Sequence, residues 1–167
     1  WCLCLLTLRL VASIGGLVCL HVSGGGRQVI VDLAGGWKGP LTGVEEATAA
    51  GLSEMRDPGL PAVNPLDAWG AGGPNASVTM ASCFSILLTD PGAAMGAVVH
   101  DRGPNSEIYS SYLDYLEKAQ RASGKPVFLV ANRQGSGADE LAISSTYQGL
   151  PVIDGVTQFL VGARCLL

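Results

Sequence analysis

Leu17-Val18-Cys19-Leu20-His21-Val22-Ser23-Gly24-Gly25-Gly26-Arg27-Gln28-Val29-Ile30-Val31-Asp32-Leu33-Ala34 joins two runs that favour different structures. Leu17–Val22 is apolar, with β-branched Val18 and Val22, the pattern of a buried strand. After the glycines, Val29, Ile30 and Leu33 recur at helical spacing. Strand, small-residue turn and helix together make an arrangement that receives phosphate. The glycines let backbone N–H groups approach an anion, and the helix N-terminus favours negative charge there. Ser23, Gly24, Gly25 and Gly26 are therefore a candidate phosphate-binding turn. A purely structural turn between strand and helix uses the same residue types, and that plainer reading stands beside it.

The rest of the composition fits one ordinary domain. The chain has 167 residues, a length typical of a single hydrophobic core. With 48% hydrophobic and only 14% charged residues, a sizeable core is expected and disorder is not. The net charge is −4, and the ten basic residues form no cluster, which argues against nucleic acid as a partner. An anionic ligand would be held by local dipoles rather than by a positive field. Cys2, Cys4, Cys19, Cys83 and Cys165 are odd in number, and their spacing matches no zinc or disulfide framework. No metal site is read from them. Cys19 and Cys83 lie in apolar runs and read as small core residues. A reducing cytoplasm is the simplest setting.

Residues 1–16 are left unassigned, and one domain is expected over residues 17–167. Trp1–Val22 is mostly apolar, as a membrane helix or signal peptide would be. Arg9 in mid-run, the Gly15-Gly16 break and a first buried strand at Leu17–Val22 oppose that reading, so no membrane association is expected. The chain opens on Trp1 rather than Met, as a fragment or processed product would.

Turn signals divide the remainder into alternating elements. The first helix, from about Arg27, should stop near Gly35-Gly36. Thr42-x-x-Glu45 reads as a capping box for a helix running toward Met55. Residues 56–73, rich in Pro, Gly and Asn, read as a long ordered loop. Asn75 or Ser77 should open a helix through Phe84 and Leu88, ended by Asp90-Pro91-Gly92. Met95–Val99 reads as a buried strand and Asp101–Ser106 as a loop. Asn105 or Ser106 should cap a helix whose face is Ile108, Tyr112, Leu116 and Ala119. Val127–Val130 reads as the next strand. Ser136-x-x-Asp139 opens a helix that Gly149 closes. Leu150–Ile153 is a last short strand, and Val156–Leu167 a terminal helix. Apolar strands alternating with amphipathic helices predict an α/β, flavodoxin-like, doubly wound parallel sheet of about five strands with helices on both faces. Ligands in such sheets bind at the carboxyl ends of strands, where the order switches. Ser23–Gly26, Asp101–Ser106 and Asn132–Ser136 should all lie along that edge.

Four elements in series carry a family resemblance. They are the Ser-Gly-Gly after the first strand, the stretch Gly59-Leu60-Pro61-Ala62-Val63-Asn64-Pro65-Leu66-Asp67-Ala68-Trp69-Gly70, Gly124-Lys125-Pro126-Val127, and Gly149-Leu150-Pro151-Val152. In this order they resemble the succinyl-CoA-synthetase-like, flavodoxin-type domain of NDP-forming acyl-CoA synthetases. The loop motif Asn64, Pro65, Asp67 is the most specific part; the Gly-Lys-Pro and Gly-x-Pro-Val elements gain weight only in series. The resemblance implies interconversion of acid, CoA and a nucleoside triphosphate with acyl-CoA, nucleoside diphosphate and phosphate. It implies that a histidine carries the phosphoryl group, and that Ser23, Gly24 and Gly25 face it. It further implies a CoA-binding Rossmann domain and a nucleotide-grasp domain as partners, through which CoA and ATP or ADP would be bound. This chain contains no Walker motif and no fitting G-x-G-x-x-G, so alone it should not complete the ligation.

The chain departs from the family pattern at the histidine. Neither Asn105–Ser110 nor Asn132–Gly137 contains one, and the chain has only His21 and His100. His21 lies within a strand and reads as a packed or edge residue. His100 stands at a strand end beside Asp101 and is the candidate catalytic residue, since a carboxylate can fix an imidazole tautomer. Strand neighbours point to opposite faces, however, so the two side chains need not touch. Asp67 either binds a cation or substrate hydroxyl, or caps its own loop. The other reading of the whole chain is a non-catalytic binding or assembly domain that kept the fold and lost the phosphohistidine. An unrelated flavin-binding or receiver domain ranks last, because Ser-Gly rather than acids follows the first strand.

Overall fold

The computed structural model describes residues 14–35, 40–56, 59–68, 74–101, 110–132 and 139–167. Within them the chain forms strands β1 (Gly16–His21), β2 (Leu66–Asp67), β3 (Ala93–His100), β4 (Val127–Ala131) and β5 (Val152–Asp154). The helices are α1 (Gly24–Gly35), α2 (Glu46–Met55), α3 (Ala76–Thr89), α4 (Ser110–Ser123), α5 (Glu140–Tyr147) and α6 (Val156–Leu166). All strand pairs are parallel, in the order β2-β1-β3-β4-β5. This is the flavodoxin-like order, with its switch between β1 and β3.

Alternation along the strands builds two cores. Leu17 and Cys19 of β1 and Met95, Ala97 and Val99 of β3 pack with Ile30 and Ala34 of α1 and with Val156, Phe159, Leu160 and Ala163 of α6. Val18, Leu20 and Val98 face the other way, onto Leu52 of α2, Phe84, Leu87 and Leu88 of α3, Leu116 of α4 and Ala142 of α5. Helices therefore cover both faces, and β1 and β3 carry no polar alternation because neither face sees water. Cys19 and Cys83 are buried, and burial pushes both thiols up, Cys19 well above its ordinary range and Cys83 against the opposing charge of Arg56.

Three local expectations change. The glycine run is not a turn ahead of the helix: α1 already begins at Gly24. Thr42 caps no helix. Its N–H instead donates to the Leu17 carbonyl at 3.2 Å, and Leu41 bridges Leu17, which holds this backbone extended. Glu45 becomes the residue before α2, and its N–H donates to Asp90 Oδ2 at 2.9 Å. The long loop also contains the fifth strand, β2, paired with β1 through Leu20–Leu66 and His21–Asp67.

Asn64 explains β2. Its side-chain amide acts as a missing strand partner: Oδ1 accepts the Cys19 N–H at 2.8 Å, and Nδ2 donates to the Leu17 carbonyl at 2.8 Å and the Thr42 carbonyl at 2.9 Å. A side chain thus satisfies the edge of β1 between its bridge to Leu41 and its pairing with Leu66. The Asn64–Pro65 peptide is cis, and the Pro65 carbonyl accepts Arg27 Nε at 2.8 Å. The Gly-Lys-Pro element is structural in a comparable way. Lys125 Nζ donates to the Leu88 and Asp90 carbonyls, each at 2.8 Å, which caps the C-terminal end of α3. Gly149 follows α5 with φ +88°, a left-handed stop.

The expected loops at residues 102–106 and 133–136, the cap at Asn105 or Ser106, and Ile108, Tyr109, Trp69 and Gly70 lie outside the described residues, as do residues 1–13. Among the described residues, no helix is long and apolar enough to cross a membrane.

Candidate functional site

The carboxyl ends of β2, β1 and β3 bring Asp67, His21 and Asp101 to one edge, directly under the start of α1. Asp67 stands opposite His21 in the β1–β2 register. Val99 stands opposite His21 on the other side, and Asp101 lies two residues beyond it, on the same face by alternation. The charges of Asp101 and Asp67 both act on His21. Asp67 therefore lies in a short strand beside a histidine, rather than in a turn that caps itself.

His21 is 1% exposed, and it shapes the helix start. The Ser23 N–H donates to His21 Nδ1 at 2.9 Å, with Ser23 Oγ 3.5 Å from the same nitrogen. Ser23 then caps α1: its Oγ accepts the Gly26 N–H at 3.3 Å, and its carbonyl accepts the Arg27 N–H at 3.1 Å. This is an N-cap geometry, with the hydroxyl on the third helical N–H. The Cε1–Nε2 edge of the His21 ring lies against Gly26, where any Cβ would overlap it. Gly26 is glycine because His21 occupies the space of its side chain. Burial pushes the imidazole below its ordinary value; the Asp101 and Asp67 charges oppose that without reversing it.

The arrangement offers an anion the dipole of a twelve-residue helix and the first amides of α1, at a strand-order switch. The Ser23 N–H is given to His21 and the Gly26 N–H to the Ser23 hydroxyl, so the amides of Gly24 and Gly25, in the first turn, are the donors to offer a ligand.

His100 differs. It is fully buried, and its ring stacks on Tyr112 of α4, with centroids 4.8 Å apart. Its Nδ1 lies 2.9 Å from the Asp101 backbone carbonyl. A carbonyl only accepts, so Nδ1 carries the proton. The tautomer is thus set by main chain and not by the neighbouring carboxylate. The Asp101 carboxylate instead accepts Asn132 Nδ2, which ties the ends of β3 and β4 together. Val98 and the residues around Tyr112 belong to the core opposite that of Val99, so His21 and His100 leave the sheet on opposite faces. The residue that sequence reasoning undervalued is His21. The signal lay in its spacing: a histidine two residues before Ser23 can reach back to the Ser23 N–H. Among the described residues, no three His, Cys, Asp or Glu side chains are grouped to hold a metal.

No protein-family model matches the sequence, and none of the curated proteins is significantly similar to it. Solved structures are similar in fold. The protein PH0766 of Pyrococcus horikoshii OT3 superposes with a TM-score of 0.74 at 16% identity, over 96% of this chain and 37% of that one. The "dinucleotide forming acetyl-coenzyme A synthetase 1" of Candidatus Korarchaeum cryptofilum, in its apo form, matches with a TM-score of 0.71 at 15% identity. The same enzyme in complex with phosphate and ADP matches with 0.67 at 16% identity. Both comparisons cover 93% of this chain and 33% of the synthetase. The chain therefore spans roughly a third of the length of these longer proteins, and what it shares with them is the flavodoxin-like α/β fold.

Proposed function

We propose that this chain is a domain of an NDP-forming acyl-CoA synthetase and contributes a phosphate-facing helix N-terminus to acid–CoA ligation. The observation that carries the reading is the Ser23-capped, glycine-opened start of α1 at the β1–β3 switch. Its setting supports it: a fold similar to part of a synthetase whose structure contains phosphate and ADP. Positioning and charge stabilisation are most of what phosphoryl transfer asks of a protein, and an N-terminal helix dipole with open amides supplies both. Ser23, Gly24 and Gly25 take the phosphate, with Gly26 completing the first turn of α1. CoA and ATP or ADP are bound by a CoA-binding Rossmann domain and a nucleotide-grasp domain elsewhere in the polypeptide or complex, in the cytoplasm. His100 remains the named candidate for a catalytic imidazole, although its burial gives it no transfer step.

A specific observation favours the second reading, a non-catalytic domain that kept the fold. The chain has two histidines, and both are buried, at 1% and 0% exposure. Neither is placed to swing a phosphoryl group between sites. Reconstitution separates the readings. Acyl-CoA, phosphate and ADP are supplied with CoA-binding and nucleotide-grasp domains, with and without this chain, and ATP is measured. ATP formed only when the chain is present supports the ligase domain. An equal rate without it overturns that role and leaves assembly.

A further inference from the structure

We infer that His21 is a positioning residue: its neutral ring, protonated on Nε2, holds the β1–α1 junction in register, and protonation of the ring releases it. The inference rests on the proposed phosphate site only for its consequence, because the amides that His21 sets, directly or through Ser23, flank the Gly24 and Gly25 amides assigned to phosphate.

A backbone N–H only donates, so the bond from Ser23 requires a bare Nδ1. The neutral ring then carries its proton on Nε2, the opposite arrangement from His100. An imidazolium has a proton on both nitrogens. Its Nδ1–H would face the Ser23 N–H, donor against donor, and the bond would be lost. Ser23 has no slack to absorb this, because its hydroxyl and carbonyl hold the Gly26 and Arg27 N–H groups. The ring cannot move upward either, since its Cε1–Nε2 edge is already against Gly26. Displacing Ser23 therefore displaces the cap and the first turn of α1 with it.

The charges around the ring come from every element packed on it. Asp67 of β2 and the carboxylate of Asp101, following β3, favour the cation. The positive end of the α1 dipole opposes it, and burial opposes it most. Arg27, in the first turn of α1, directs its Nε to the Pro65 carbonyl. The neutral form holds the junction at neutral pH, and acid opens it.

Long-range proton–nitrogen NMR of the imidazole in the intact chain reads the tautomer directly. The expected result is a protonated Nε2 and a bare Nδ1 at neutral pH, with the Ser23, Gly26 and Arg27 amides shifting together as the ring titrates in acid. His21→Asn supplies an oxygen near the Nδ1 position, so it should keep the neutral-pH amide pattern and lose the acid transition. Gly26→Ala should displace these amides in the His21 protein and leave them in place in a His21→Ala background, where the space is vacant. A protonated Nδ1 overturns the inference. So do amides that ignore the ring's titration, or a Gly26→Ala effect that is the same in both backgrounds. If the tautomer and the coupling hold but millimolar inorganic phosphate shifts no amide from Gly24 to Arg27, the phosphate reading fails and the positioning role stands.

Discussion

Two histidines end neighbouring strands of this sheet, and they are built oppositely. His21 closes β1, faces the α1 side, and accepts a main-chain N–H on Nδ1. His100 closes β3, faces the α4 side, and donates from Nδ1 to a main-chain carbonyl. Both are buried, but only His21 touches the residues that open the glycine helix. Near the sheet edge, proximity in sequence to a carboxylate says less than which face a residue leaves from. His100 has Asp101 as its chain neighbour, yet it is His21, on the adjacent strand, that shares a face with the Asp101 carboxylate.

Removing the support of one side should leave the other standing. Asn64→Ala strips the edge of β1 of two hydrogen bonds and Thr42 of a third and leaves buried main-chain groups without partners, a loss of roughly 3–5 kcal/mol. Chemical denaturation should show it, with amide shifts concentrated in β1, β2 and α1 and the His100–Tyr112 stack unmoved. Gly26→Ala forces a methyl onto the His21 ring. Overpacking costs about 1–3 kcal/mol and outweighs the ~1 kcal/mol that alanine gains over glycine within a helix. Thermal melting should therefore drop rather than rise. On the other side, Tyr112→Leu removes the ring stacked on His100 at a cost of about 0.5–1.5 kcal/mol, and the α1 amides should not notice.

The smallest effect is a slope with pH. His21 is held below its ordinary value in the folded chain, so below about pH 6.5 the unfolded chain takes up a proton that the folded one resists. Stability is full above that point and falls as the solution is acidified through it. A second loss should follow at lower pH. Burial alone would raise the Asp90 carboxyl, but the Glu45 N–H, the Thr48 hydroxyl, the Gly92 N–H and the Lys125 charge together hold it below its ordinary value. Its contribution is present above that ordinary range and is lost as pH falls through the lowered value. Urea midpoints measured against pH should show both windows in the native chain and only the acidic one in His21→Asn.

Most of the architecture was legible in local pattern. Unbroken apolar runs marked β1, β3 and β4, and glycine stops marked the helix ends, because both signals are carried within a few residues. The parts that were not legible are those where a distant group decides. Leu66-Asp67 is too short to read as a strand, and pairs only because Asn64 holds the edge of β1. Thr42 has the spacing of a capping box, but Leu17 claims its backbone. Ser23–Gly26 announced a special helix start, yet nothing in the four residues says that Gly26 makes room for an imidazole. His21 read as a packed strand residue, which is true of its burial and silent about its hydrogen bond.

The central claim is that the start of α1 receives phosphate. Amide NMR of the chain at neutral pH, titrated with inorganic phosphate into the millimolar range, tests it most directly. The account predicts saturable shifts centred on the amides of Gly24 and Gly25 and reaching Gly26 and Arg27, with little change around His100 and Tyr112. Unchanged Gly24–Arg27 amides, or shifts gathered on any other part of the sheet edge, would contradict it.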